Sequence, residues 1–220
     1  MLEILYEDAA LAVCIKPVGA ASQGTSPDAL PALLAAQLQL PEVFPIHRLD
    51  QAVGGVMVFA KTPACAAELS RGVQDGSFRK EYLAVTQGVP AEAEGELQDL
   101  LFHDRQKNKT YVVKKRRAGV RPASLRYRVL AQKDGCALVQ VQLQTGRTHQ
   151  IRVQFATRGL PLLGDGKYGS RENRCTAALW SFRVSFRHPD GTRRSFTCPP
   201  PEAYPWELFQ GEIAECTEAI

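Results

Sequence analysis

The sequence predicts an α+β fold built on a mostly antiparallel sheet with short helices at its flanks, and three observations carry that class. Val139, Val141 and Leu143 alternate with Gln140, Gln142 and Gln144, the period of a half-buried strand. Trp180, Phe182, Val184 and Phe186 alternate with polar residues and lead through His188-Pro189-Asp190-Gly191 towards Phe196, which marks a hairpin. Ser26-Pro27 and Thr62-Pro63 each set a capping residue before a proline at the head of a short apolar stripe.

Taken in order, Ile4-Leu5-Tyr6 pairs with Leu11 to Ile15 across a turn at Glu7-Asp8, and Pro17 ends the second strand. A helix capped by Ser26 presents Leu30, Leu33, Leu34 and Leu38, and Pro41 and Pro45 then break the chain. Val56 to Ala60 is an apolar strand. Thr62 caps the next helix, whose inward face is Cys65, Leu69 and Val73 and whose end is Gly76. Lys80 to Val85 is a strand. After the alternating run at Val139, Thr145-Gly146 turns the chain, and Thr148 caps a helix from His149 to Arg158 that Gly159 and Pro161 stop.

With 220 residues, 45% hydrophobic and 23% charged, the chain can bury a full core. No apolar run approaches the roughly 18 residues of a membrane span, so no membrane partner is expected. The acidic N-terminus lacks the basic region of a secretion signal. Six scattered cysteines without a Cys-x-x-Cys pair read as free thiols, which predicts a cytoplasmic location and no metal site. Ten Lys or Arg and one acid fall between Asp104 and Arg128, whereas 92–99 and 202–218 hold acids and no Lys or Arg. Such a block is either a solvated loop or the footprint of a polyanion, and the interleaved Tyr111 and Tyr127 favour nucleic acid.

Two segments carry chemistry. His47-Arg48-Leu49-Asp50 mounts a carboxylate beside a guanidinium, in a glycine-containing loop just before a buried strand. An ordinary loop ion pair gives the same pattern. Thr145-Gly146-Arg147-Thr148-His149-Gln150-Ile151-Arg152-Val153 offers two guanidiniums with no Asp or Glu between Gly135 and Gly164, so each needs a distant carboxylate or an anionic ligand.

These segments, with Gly55, Ala60-Lys61-Thr62, Lys80-x-Tyr82-x-Ala84 and Leu163-Gly164-Asp165-x-x-Tyr168-Gly169, resemble in order and spread the RluA family of RNA pseudouridine synthases. The resemblance implies one catalytic domain over 1–220, with the bent mixed sheet of that fold and no N-terminal S4-type RNA-binding domain. It implies isomerisation of uridine to pseudouridine in structured RNA, rRNA or tRNA, without cofactor or metal and without an obligate protein partner, by a monomer. Asp50 is then the catalytic aspartate, Tyr82 lies against the target base, and Arg152 pairs with Asp50. Arg48 fills the gap left by the flipped uridine, and Arg147 and Thr148 meet substrate. Lys114, Lys115, Arg116 and Arg117 are the candidate RNA grip. His47 and His149 read as structural donors, and Gly164-Asp165 with Tyr168-Gly169 as a buttressing turn.

The chemistry agrees with these roles. A stacked uridine must be flipped out, at roughly a few kcal/mol, and a wedge with basic phosphate contacts offsets that cost. A site that grips a base excludes water and disfavours a bare carboxylate, which a nearby guanidinium opposes. Two departures stand out: Ala52-Val53-Gly54 replaces a stretch usually rich in hydroxyls, and Gln154 stands where a histidine is usual. Two rival readings are a non-catalytic RNA-binding protein of the same fold, and a hydrolase pairing Asp50 with Asp165.

Overall fold

In the computed structural model, residues 1–218 are described, and the last two positions of the expected 1–220 domain lie outside them. The described elements are β1 (Ile4–Glu7), β2 (Leu11–Lys16), α1 (Leu30–Gln37), β3 (Phe44–Pro45), β4 (Gly54–Ala60), α2 (Pro63–Asp75), β5 (Arg79–Gln87), β6 (Glu94–Asp104), β7 (Lys109–Val113), β8 (Val120–Lys133), β9 (Cys136–Leu143), α3 (Gln150–Ala156), β10 (Leu179–Arg187), β11 (Arg193–Thr197) and α4 (Gln210–Glu218). They divide into two compact units, Met1–Lys80 with Trp180–Pro200, and Glu81–Leu179 with Pro201–Ile220.

In the first unit β1 and β2 form the expected hairpin, its turn closed by the Asp8 carboxylate, which accepts from the Ala10 and Leu11 amides. β2 runs antiparallel to β4, Leu11 opposite Ala60 and Lys16 opposite Gly55. On its other side β4 runs parallel to β10, with Gly54 opposite Trp180, and β10 continues into its hairpin with β11. Every residue of β4 is buried, as a strand with neighbours on both edges and a covered face requires. Thr62 caps α2 by accepting from the Cys65 amide at 3.2 Å, and Gly76 ends it in the left-handed region at φ 82°.

One expected boundary moves. α1 starts at Leu30, with Ala29 and not Ser26 at its cap and Pro31 in its first turn; 26–29 is spent on a turn in which the Ala29 amide donates to the Ser26 carbonyl. Leu30 and Leu34 are buried, while Leu33 points outward.

The second unit is an antiparallel sheet in the order β5-β9-β8-β6-β7. α3 packs on β6 and β7, and its Val153 joins Leu101 and Ala123 in a core that Val112 and Tyr168 complete. Here too one expectation fails. α3 begins at Gln150 and is preceded by His149 in the left-handed region (φ 54°), so Thr148 cannot cap it. The side chain of Gln150 closes the turn instead. Its Oε1 accepts from the Arg147 amide and the Thr145 hydroxyl, and its Nε2 donates to the Ser124 carbonyl. Among the described residues no helix is long and apolar enough to cross a membrane.

Candidate active site

In the first unit Asp50 sits half-buried at the end of the segment that enters β4, in a turn closed by the Val53 amide donating to the Asp50 carbonyl. What fixes this turn is Lys16, a fully buried residue at the end of β2. Its ammonium donates to three carbonyls, those of Pro17 (3.0 Å), Gln51 (3.2 Å) and Val53 (2.7 Å), which satisfies all three of its N–H bonds. Burial pushes the Lys16 ammonium down to about 8, and the charge of Asp50 opposes that fall. The Ser22 hydroxyl donates to the Leu49 carbonyl, and Gly19 and Gln51 exchange two further hydrogen bonds. The aspartate therefore rides on a backbone held from both sides. Arg48 is exposed, with one long hydrogen bond of 3.4 Å to Gln23.

The two glycines after the turn are demanded by the neighbouring strand. A Cβ on Gly54 would collide with the ring of Trp180, and one on Gly55, at φ 115°, with the Ser181 backbone. The departure at Val53-Gly54 is thus matched by a tryptophan seated where a side chain at 54 would be. Trp180 is itself buried and donates to the Cys198 carbonyl.

His47, expected from the sequence to be a structural donor, accepts instead. Its Nε2 accepts from the Val58 amide, and burial, helped by the Lys80 charge, pushes its pKa down to about 3. The unfolded chain protonates this ring near pH 6.5, the folded chain only near 3. Unfolding therefore takes up a proton between those values, and stability falls as pH falls. Between about pH 7.5 and 4.5 the parent is expected to lose about 2–3 kcal/mol more than His47→Gln in urea unfolding. Equal losses would mean that the folded protein protonates His47 as readily as the unfolded chain.

In the second unit Tyr82 lies in β5, 4% exposed, opposite Val141. Arg152, on the first turn of α3, is equally buried and is gripped by Asp165 through two 2.7 Å hydrogen bonds, Nε to Oδ2 and Nη2 to Oδ1. Asp165 is thus the distant carboxylate that Arg152 needs, and the hydrolase reading loses its second acid. The Arg152 guanidinium also lies 5.2 Å from the centre of the Tyr168 ring. The Tyr168 hydroxyl accepts from the Thr110 amide at 2.8 Å and meets His149 Nδ1 at 2.9 Å, so the buttressing turn ties β7 to the start of α3. Burial leads the causes that raise the Tyr168 pKa, which keeps its hydroxyl protonated at neutral pH.

Arg147 is exposed and its Nε donates to the Pro122 carbonyl, while the Thr148 carbonyl accepts from the Thr110 hydroxyl. Lys114, Lys115, Arg116 and Arg117 form the exposed loop between β7 and β8, with Arg117 over the Phe102 ring at 4.8 Å. The rest of the basic block lies partly in strands, where Glu96 pairs with Arg126. Tyr127 is no stacking platform: it packs edge-on against Phe155 and over Gly95. Gln154, fully buried, donates to the Leu97 carbonyl and the Asp99 carboxylate, which anchors α3 to β6. Lys16 and Gln150 are the site residues that sequence reasoning missed. The one local hint for Lys16 was a lysine ending an otherwise apolar strand.

A family model described as RNA pseudouridylate synthase matches residues 10–157. A relative from Yersinia pestis, "Dual-specificity RNA pseudouridine synthase RluA", is 34% identical over 89% of this chain and 97% of its own length. "Ribosomal large subunit pseudouridine synthase D" of Neisseria meningitidis is 33% identical over 91% of this chain, which spans 59% of that protein. Among solved structures, "Human RNA Pseudouridylate Synthase Domain Containing 1" superposes with a TM-score of 0.78 at 23% identity, over 92% of this chain and 85% of that one, a likeness of fold. Fold, motif order and family match agree, and the chain belongs to the RNA pseudouridylate synthases, in the RluA family.

Proposed function

We propose that this chain isomerises uridine to pseudouridine in structured RNA, rRNA or tRNA, with its two units acting as one catalytic domain. The observation that carries this reading is the family match over 10–157, which contains Asp50, Tyr82 and Arg152. In the reaction the N1–C1′ bond of the nucleotide breaks, the base turns, a C5–C1′ bond forms, the C5 proton leaves and N1 takes up a proton, so that atoms and charge balance. Asp50 is the essential carboxylate, Tyr82 lies against the base and assists proton loss, and Arg152 stabilises the charge of Asp50. The Lys16 clamp supports this assignment, because a reacting group has to be held in a fixed place. Arg48 enters the space vacated by the flipped uridine, and its exposure leaves it able to do so. Arg147 and Thr148 meet the RNA beside it. We assign the enzyme to the cytoplasm as a monomer that needs neither cofactor nor metal, nor a protein partner.

Lys114, Lys115, Arg116 and Arg117 hold the phosphate backbone, and no carboxylate of a described residue stands within ion-pair distance of them. Transcribed rRNA and tRNA incubated with the chain are expected to acquire pseudouridine, read by chemical mapping; no product in either would overturn the assignment. Changing the four basic residues to glutamate is expected to weaken RNA binding and flatten its salt dependence, by about 0.7–0.9 in log–log slope for each phosphate no longer neutralised. An unchanged slope removes this loop from the interface.

A further inference from the structure

The second unit carries an open groove of about 520 Å3 between β7 and the turn around Gly166–Tyr168, a volume within the roughly 300–1,000 Å3 of small-ligand sites. Its inner side is Val153 and the half-buried Val112, both part of the core cluster. Its outer side carries Lys109, Tyr111, Lys167 and Tyr168. Tyr111 is 37% exposed, one of the few large apolar side chains left in water. The Lys109 ammonium stands 5.9 Å from the Tyr111 ring centre and 5.4 Å from that of Tyr168. Lys167 donates to the Asn108 carbonyl at 2.9 Å, and neither lysine has a carboxylate partner among the described residues. Asp104 faces Lys109 across the β6–β7 ladder, but its carboxylate accepts from the Lys107 amide.

An exposed aromatic ring beside two un-neutralised ammoniums, over an apolar floor, suits a nucleotide: the base stacks, the phosphate is held by charge, and no base edge is read. The groove shares Tyr168 with Arg152, the arginine assigned to the reaction. We propose that this groove is a second nucleotide subsite, which takes a neighbour of the target uridine with its base on Tyr111 and its phosphate between Lys109 and Lys167. The proposal deepens the reading of the chain as an RNA-modifying enzyme and rests on it.

The test measures binding of a short fluorescent oligouridylate to the full chain by anisotropy over a range of salt. Tyr111→Leu is expected to weaken binding by about 5- to 150-fold, the worth of one base–aromatic stack, and Tyr111→Phe to keep it. Lys109→Gln with Lys167→Gln is expected to lower the log–log salt slope by about 0.7, the worth of the one phosphate they share. Parental binding by Tyr111→Leu, an unchanged slope in the double lysine variant, or no binding by the parent overturns the subsite. A loss of affinity in the lysine variant alone points to an acidic peptide or other anion and likewise overturns it. Pseudouridine formation by the parent is scored separately: its absence overturns the enzymatic reading, while binding alone decides the groove.

Discussion

Asp50→Asn is expected to abolish pseudouridine formation, by at least about 10^4-fold, while RNA affinity largely survives. The change is nearly isosteric and removes only the charge and basicity of the carboxylate. The loop that carries it is held through backbone groups: Lys16 binds the carbonyls of Pro17, Gln51 and Val53, Ser22 binds that of Leu49, and the Val53 amide closes the turn. None of these contacts uses the Asp50 side chain, so the backbone of the loop keeps these ties in the variant. Single-turnover assays on transcribed rRNA, with binding measured in parallel, check both halves. Appreciable turnover by the variant would remove Asp50 from the chemistry. Joint loss of turnover and binding would make it a structural residue.

Asp165→Asn is expected to lower stability by about 3 kcal/mol, because it removes the charge of the carboxylate that grips the buried Arg152 guanidinium through two hydrogen bonds. The two side chains are 1% and 7% exposed, and both carboxylate oxygens are engaged. For a chain of this size the loss corresponds to a melting temperature about 6–12 °C lower. Asp165→Leu combined with Arg152→Met is expected to recover much of that stability without activity, since an apolar pair carries no desolvation penalty. An Asp165→Asn variant that melts with the parent would show that Arg152 does not depend on this carboxylate.

Much of the fold was legible because its signals were local. The β10–β11 hairpin, the alternation of β9 and the Thr62 cap are each written within a short stretch of chain, and each stands where expected. The misses are elements whose cause lies far along the chain. β6, with the sequence EGELQDLLFHD, buries only Leu97 and Leu101, so neither period dominates, and the ladders to β7 and β8 specify it. β8 contains Pro122 and several arginines, which read as loop until pairing with β6 and β9 is known. Thr148 had the right type for a cap, but the left-handed backbone of His149 makes Gln150 the residue that closes that turn. The assignments proposed for Asp50, Tyr82 and Arg152 came through motif resemblance. The burial of Lys16 was not legible, because the carbonyls of Gln51 and Val53 that receive its ammonium lie 35 and 37 residues away.

The meeting of Gly54 and Trp180 has an evolutionary consequence. The indole fills the volume that any side chain at 54 would need, so the two positions cannot drift one at a time. Gly54→Ser introduced alone forces the tryptophan out, and shrinking the tryptophan alone opens a void beside the strand that follows Asp50. Each single step is harmful, yet a coordinated exchange of both can be neutral, which is sign epistasis across a parallel strand pair. A lineage that enters this arrangement tends to stay in it, and the glycine-rich approach to Asp50 then persists as an inherited constraint.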